Sequence, residues 1–180
     1  MSERRSVLCV VVCAAPPAQQ IGELVDLLLE DNWTVCVVAT PTAATWIDTE
    51  AFTNQTGYPV RSAWRRPGAP GALPDAEALL VAPATFNTIN KWALGISDNF
   101  ALGVLNEMLG LRAPILVSPY AKSALTTHPA YPHHVQVLQK AGVHFTPTEA
   151  PRPSSPDARF RWPELVEDVR RLRRSGELTP

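Results

Sequence analysis

The segment Ser6 to Ala14, SVLCVVVCA, constrains the fold of this chain more than any other. It is an unbroken apolar, largely β-branched run with no polar alternation, so both faces of the strand it forms must be buried. Pro16 and Pro17 stop it. A strand buried on both faces needs a layer of other elements above and below. The sequence supplies them. Ile21, Leu24, Val25, Leu28 and Leu29 recur at helical spacing within Ala18 to Asp31. Trp33 to Ala39, WTVCVVA, reads as a second buried strand. Thr40-Pro41-Thr42 is a helix-start signal, with a helix expected from Thr42 to Thr56.

The alternation continues along the chain. Tyr58 to Ser62 is expected to be a short third strand, and Arg65 to Pro74, RRPGAPGALP, is a loop by composition. Ala78 to Val81 is the next strand, followed by a helix from Thr88 to Leu94. Gly95-Ile-Ser-Asp98 reads as a helix end with a new N-cap at Ser97 or Asp98, opening a helix from Asn99 to Leu109. Pro114 to Val117 is a strand, Ser118 to Pro129 a loop, Ala130 to Ala141 a helix and Val143 to Thr146 a last strand. Pro147 to Pro156 is poor in core formers and is expected to be an extended arm. Trp162 to Arg174 carries Trp162, Leu165, Val166, Val169 and Leu172 at helical spacing.

Strand alternating with helix predicts an α/β protein: a three-layer, doubly wound parallel sheet of Rossmann-like type, in a single domain. The expected division is a ligand-binding domain over 1–146, with the arm and C-terminal helix of 147–180 packing on that same domain.

Composition narrows the function. With 180 residues, 46% hydrophobic and 18% charged, the chain suits one compact domain. A formal net charge of -1 gives no electrostatic case for nucleic acid or an anionic membrane. The run Val7 to Ala15 is too short to span a bilayer and lacks a convincing cleavage site after it, so a cytoplasmic protein is expected. Cys9, Cys13 and Cys36 form no CxxC pair and read as small buried core residues, and no metal site is expected.

In an open doubly wound sheet, ligands bind at the carboxyl ends of the strands. Here those ends are Ala14 to Ala18, Thr40 to Thr45, Ala82 to Thr88 and Ser118 to Pro129. The third, Ala82-Pro-Ala-Thr-Phe-Asn-Thr88, delivers a Pro, two Thr and an Asn to a helix start. Taken singly, Thr40, Thr42 and Asp98 are as readily plain N-caps, and Asn87 a plain turn residue.

Taken jointly, Ala82-Pro-Ala-Thr-Phe-Asn-Thr-Ile-Asn-Lys91 and Gly95-Ile-Ser-Asp98 resemble the homo-oligomeric flavin-containing cysteine decarboxylases. The hallmark of that family is a Pro-Ala-Ser/Thr-Ala-Asn-Thr segment followed by Gly-Ile-Ala-Asp. The resemblance covers roughly residues 6 to 146. It implies FMN as cofactor, a small-molecule or peptidyl thiol and carboxylate substrate, and a homotrimer or a dodecamer built from trimers. By position it implies that Asn87 and Thr88 touch the flavin or the substrate carboxylate. Ala84 and Thr85 would line the FMN site, and Asp98 would sit near the ring or cap the helix supporting it. Thr40 and Thr42 would serve the phosphate or ribityl region, where helix-start N–H groups favour an anion.

The chain departs from that pattern in several places. The family's catalytic His opens the helix before the motif strand, and the matching window, Pro67 to Asp75, contains no His. The family's clamp, Pro-x-Met-Asn-x-x-Met-Trp, is here Pro119-Tyr-Ala-Lys-Ser-Ala-Leu-Thr-Thr-His-Pro129, which keeps only the Pro. No Cys follows Cys36, which argues against phosphopantothenoylcysteine decarboxylation. The first turn is Ala14-Ala-Pro-Pro-Ala18, and its two prolines remove N–H donors from a phosphate nest.

His128 and Lys122 are the remaining candidates for acid–base or anion-binding work, beside Asn87. His133 and His134 read as surface residues of a helix. Trp46 and Trp92 fall on helical faces where core packing is the default. The expected function is therefore an FMN-binding flavoprotein, a redox enzyme on a thiol or carboxylate substrate. The alternatives are a non-catalytic FMN-binding partner subunit and, last, a flavin prenyltransferase-like protein, whose Gly-Ser-Gly first turn is absent.

Overall fold

The computed structural model describes residues 5–66, 68, 73–148, 150, 152 and 160–174. Five parallel strands form one sheet: β1 (Val7–Val12), β2 (Thr34–Ala39), β3 (Ala78–Ala84), β4 (Ile115–Pro119) and β5 (His144–Phe145). Their order is β2-β1-β3-β4-β5. Register is set strand against strand, with Cys9 opposite Cys36 and Leu79 on β3, and Val81 opposite Val117.

Side chains alternate across a strand, so β1 feeds two cores. Leu8, Val10 and Val12 join the first, with Ile21, Leu24, Val25 and Leu28 of α1 (Ile21–Glu30). Cys9, Val11 and Cys13 join the second, with Ile89 and Trp92 of α4 (Phe86–Ala93) and Leu102 and Leu105 of α5 (Phe100–Gly110). Leu138 of α7 (Ala130–Lys140) completes that face. Every residue of β1 is buried, as the unbroken apolar run requires. This is the three-layer, doubly wound arrangement expected.

The C-terminal helix α8 (Trp162–Arg174) lays Trp162, Leu165, Val166, Val169 and Leu172 into the first core. Arg170 Nε reaches Asp31 Oδ1 at the end of α1 at 2.7 Å. Of the expected arm, residues 149, 151 and 153–156 lie outside the described residues.

Several local expectations change. The helix expected from Thr42 to Thr56 is two, α2 (Pro41–Ala44) and α3 (Thr49–Thr56). The break falls where Asp48 adopts an extended backbone and its carboxylate accepts from Glu50 N and Ala51 N at 3.1 and 2.9 Å. A strong N-cap restarts the helix there. Tyr58 to Ser62 makes one bridge, Val38 to Arg61, instead of a strand. Pro59 lacks the N–H that a ladder would use. The loop after β4 contains a short helix, α6 (Ser123–Thr126). The cap of α5 is Asn99, neither Ser97 nor Asp98. Ser97 Oγ is taken by Asn106 Nδ2 at 2.8 Å, and Asp98 turns back to Lys91.

Among the described residues no helix is long and apolar enough to cross a membrane. Among them, too, no group of three or more His, Cys, Asp or Glu could hold a metal ion.

Candidate functional site

The order β2-β1-β3 makes the gap between β1 and β3 the switch point, where successive connections leave the sheet in opposite directions. Crevices form outside the carboxyl ends at such a point. A cavity of about 470 Å³ opens there, lined by Ala14, Thr40, Pro41, Thr42, Thr85, Asn87, Thr88, Lys91, Asp98 and Asn99. That volume lies within the usual range for small-molecule sites. A larger cavity, about 660 Å³, lies at the opposite edge, between the ends of α5 and α7 and the start of β4. Helix C-termini, which disfavour an anion, face it together with the cations Arg112 and Lys140, and none of the expected site residues lines it.

Each wall is built by a local rule. Thr40 ends β2 and caps α2, its Oγ1 accepting from Ala43 N at 3.3 Å. Its own N–H bonds Val12 O at 2.9 Å, which ties this wall to β1. Thr42 is exposed on the first turn of α2. Cys13 N donates to Pro83 O at 3.1 Å, joining β1 to the end of β3. Thr85 then caps α4: its Oγ1 accepts from Thr88 N at 3.4 Å and donates to Thr88 Oγ1 at 3.1 Å. Thr88 is buried and Asn87 exposed, so successive residues of one helix turn form floor and rim.

The far wall depends on how α4 ends. Gly95 sits at φ 71°, its N–H on Trp92 O at 2.8 Å, with Ile96 N on Lys91 O at 2.9 Å. This is the Schellman turn, which a residue with a Cβ adopts at a cost. It folds the chain back so that Asp98 pairs with Lys91. Asn99 Nδ2 donates to Asp98 Oδ1 at 3.0 Å, while Asn99 Oδ1 accepts from Leu102 N at 3.1 Å. Asn106 braces the turn from behind through Ile96 O at 3.1 Å. The Lys91–Asp98 pair is 32% and 46% exposed, so it holds geometry more than it adds stability.

Beneath the floor, burial pushes the Cys13 thiol above its ordinary range, against hydrogen bonds with Thr88 and Thr85 that pull it down. It is therefore a protonated, inert neighbour at neutral pH.

The structure brings together Thr40, Thr42, Thr85, Asn87, Thr88 and Asp98 of the expected residues. It does not bring in the rest. Ala84 is fully buried within β3, opposite Pro119, with its carbonyl accepting from Tyr120 N at 2.8 Å. Lys122 is exposed ahead of α6 and is not among the lining residues. His128 is likewise outside the lining. Its Nδ1 accepts from Ala130 N at 3.1 Å, and its ring meets Phe86 edge-on at 5.6 Å. That is the geometry of a group stabilising the start of α7. His133 is exposed as expected, whereas His134 is half-buried and its Nδ1 lies 2.7 Å from Asn90 Oδ1, linking α7 to α4. Trp92 is in the core, but Trp46 is 45% exposed.

Lys91 and Asn99 were not picked out by sequence reasoning. Lys91 lies four residues after Asn87, hence on the same helix face, and that spacing was a usable signal. Asn99 precedes an apolar helix, in the position an Asn cap prefers.

Comparisons with known proteins agree with this fold. The family described as Flavoprotein matches residues 1–171. A cysteine/cysteine sulfinic acid decarboxylase from an unknown prokaryotic organism is 36% identical over 69 residues, which cover 38% of this chain and 18% of that protein. The matched part thus spans less than a fifth of that relative's length. Among solved structures, the FMN-dependent cysteine decarboxylase SpaF superposes with a TM-score of 0.75 at 19% identity, covering 96% of this chain and 98% of that one. The cypemycin decarboxylase CypD gives 0.73 at 24%, covering 97% and 96%. At those identities the two structures speak for the fold alone.

Proposed function

This chain belongs to the Flavoprotein family, and on that premise we propose that it binds FMN in the switch-point cleft and acts on a thiol- and carboxylate-bearing substrate. The observation that carries the proposal is the donor set of the cleft. Thr40, Thr42, Thr85 and Thr88 offer hydroxyls, Asn87 and Asn99 amides, and Lys91 one cation, around a cavity of about 470 Å³. That chemistry fits a phosphorylated, polyhydroxylated ligand. The first N–H groups of α4 and the Lys91 ammonium suit the phosphate, and the hydroxyls suit a ribityl chain. When bound, the flavin supplies two-electron redox chemistry. The relatives named as cysteine decarboxylases support a substrate with a cysteine carboxylate.

The residues of this chain bind, orient and neutralise. Lys91 exchanges its exposed partner Asp98 for an incoming anion. Thr85 and Thr88 fix the first turn of α4 against the floor. Asn99 holds Asp98 at the far wall.

One observation favours a second reading, a non-catalytic FMN-binding partner. Among the described residues, the ionisable ones lining the cleft are Lys91 and Asp98, and they are paired with each other. A spectral titration with FMN tests the common part: saturable binding supports it, and failure to take up FMN refutes it. Incubation with peptides ending in Cys, followed by mass spectrometry, separates the two readings. Loss of carbon dioxide and two hydrogens identifies the enzyme, and an unchanged panel identifies the partner.

A further inference from the structure

Trp64 is 61% exposed, yet it has a fixed seat. A Cβ built on Gly103 would lie 2.2 Å from the indole Cη2 and 2.7 Å from Cζ2, so the ring rests on the bare backbone of α5. The ring also meets Phe100 edge-on, with centroids 5.2 Å apart at 88°. The Arg61 guanidinium lies over the other partner of this group, 5.8 Å from the Phe100 centroid. Arg61 is itself anchored to β2 by Arg61 N to Val37 O at 3.1 Å and Ala39 N to Arg61 O at 2.8 Å.

These contacts join the two walls of the cleft. Ala39 leads directly into Thr40 on one side. Phe100 follows Asn99 on the other, and Asn99 holds both Asp98 and the first turn of α5. We infer that Trp64 is a positioning residue: seated on Gly103 and Phe100, it clasps the first turn of α5 to the end of β2 and so sets the distance between the Thr40–Thr42 wall and the Asp98–Asn99 wall. Trp64 is not among the lining residues and acts through Asn99. Gly103 is in the helix interior, where Ala is ordinarily preferred. A glycine there is explained by the ring that occupies its Cβ position.

The inference rests on the FMN reading for its functional consequence but not for its geometry, and the test separates the two. Trp64→Ala removes the ring. Gly103→Ala evicts it while improving the helix, so a folding defect cannot account for both. In the full chain, without ligand, the Leu102 amide should exchange its hydrogen several-fold faster in both variants, because the Asn99 cap is loosened. With FMN as the probe, both variants should bind about tenfold more weakly than the native chain. In an Asn99→Ala background, Trp64→Ala should cost little more, since both act on one wall. Native FMN affinity and native Leu102 exchange in both variants overturn the inference, as do Trp64→Ala and Asn99→Ala effects that simply multiply. If the native chain takes up no FMN while Leu102 exchange still rises, the FMN reading fails and the clasp stands.

Discussion

Thr85 is the residue on which fold and cleft most directly depend, and its replacement gives the sharpest test. Its hydroxyl serves two bonds at once, accepting from Thr88 N at 3.4 Å and donating to Thr88 Oγ1 at 3.1 Å. Thr85→Ala removes the cap of α4, a loss of about 1 kcal/mol. It also strips a partner from the Thr88 hydroxyl, which is only 4% exposed. A buried hydroxyl losing a partner costs roughly 1–3 kcal/mol, and the neighbouring Cys13 thiol offsets part of that. The expected total is about 2 kcal/mol. With an m-value of about 2 kcal/mol/M, the urea midpoint should fall by about 1 M at unchanged m. Thr85→Ser should restore most of the loss. Thr85→Val, which keeps the shape and loses the hydroxyl, should not. Equal midpoints for the Ser and Val variants would refute the reasoning, because the effect would then come from packing and not from the two bonds.

Lys91→Ala should weaken FMN binding about tenfold in dilute buffer, with the deficit shrinking as salt is raised. It should leave the melting curve within about 1 kcal/mol of native, as its ion pair is exposed. His128→Ala should leave FMN affinity within about twofold while lowering stability by about 1 kcal/mol, because its Nδ1 supports the start of α7; a large affinity loss in the titration would return His128 to the site. Trp162→Ala should cost about 3–5 kcal/mol in denaturant, since the ring is 1% exposed in the first core. The raised Cys13 thiol sets a pH dependence. The folded state keeps this proton longer than the unfolded chain, so its contribution is complete below the unfolded thiol value of about 8.5 and is lost as pH rises through the folded value. Urea midpoints measured upward from neutral pH should therefore fall more steeply in the native chain than in Cys13→Ala.

The strands and their order of burial were legible because a doubly buried strand must be an unbroken apolar run, and little else produces one. Ser6–Ala14 and Trp33–Ala39 could only be interior. What escaped was local competition among polar side chains. Asp48 restarts a helix that periodicity alone would run on from Thr42, because its carboxylate satisfies two N–H groups better than continuing would. Ser97, Asp98 and Asn99 are all acceptable caps, and the choice among them is tertiary. Asn106, from the next helix, claims Ser97, Lys91 claims Asp98, and Asn99 is left to cap.

The same distinction explains why the cleft was half legible. Residues carried to it by a strand end, Thr40, Thr85, Asn87 and Thr88, follow from topology, since a parallel sheet delivers every strand end to one edge. Residues carried to it by a reversal do not: Lys91 was missed, and Asp98 was reached only through the family resemblance. Lys91 and Asp98 face each other because Gly95 takes a left-handed backbone and returns the chain across the end of α4. His128 and Lys122 lie outside the lining of this cleft for the converse reason. They follow β4, whose carboxyl end lies on the far side of β3 from the β1–β3 gap, and the Nδ1 of His128 is spent on the start of α7. Among the described residues this cleft holds one ionisable pair, Lys91 and Asp98, so its polar lining is otherwise made of neutral hydroxyls and amides.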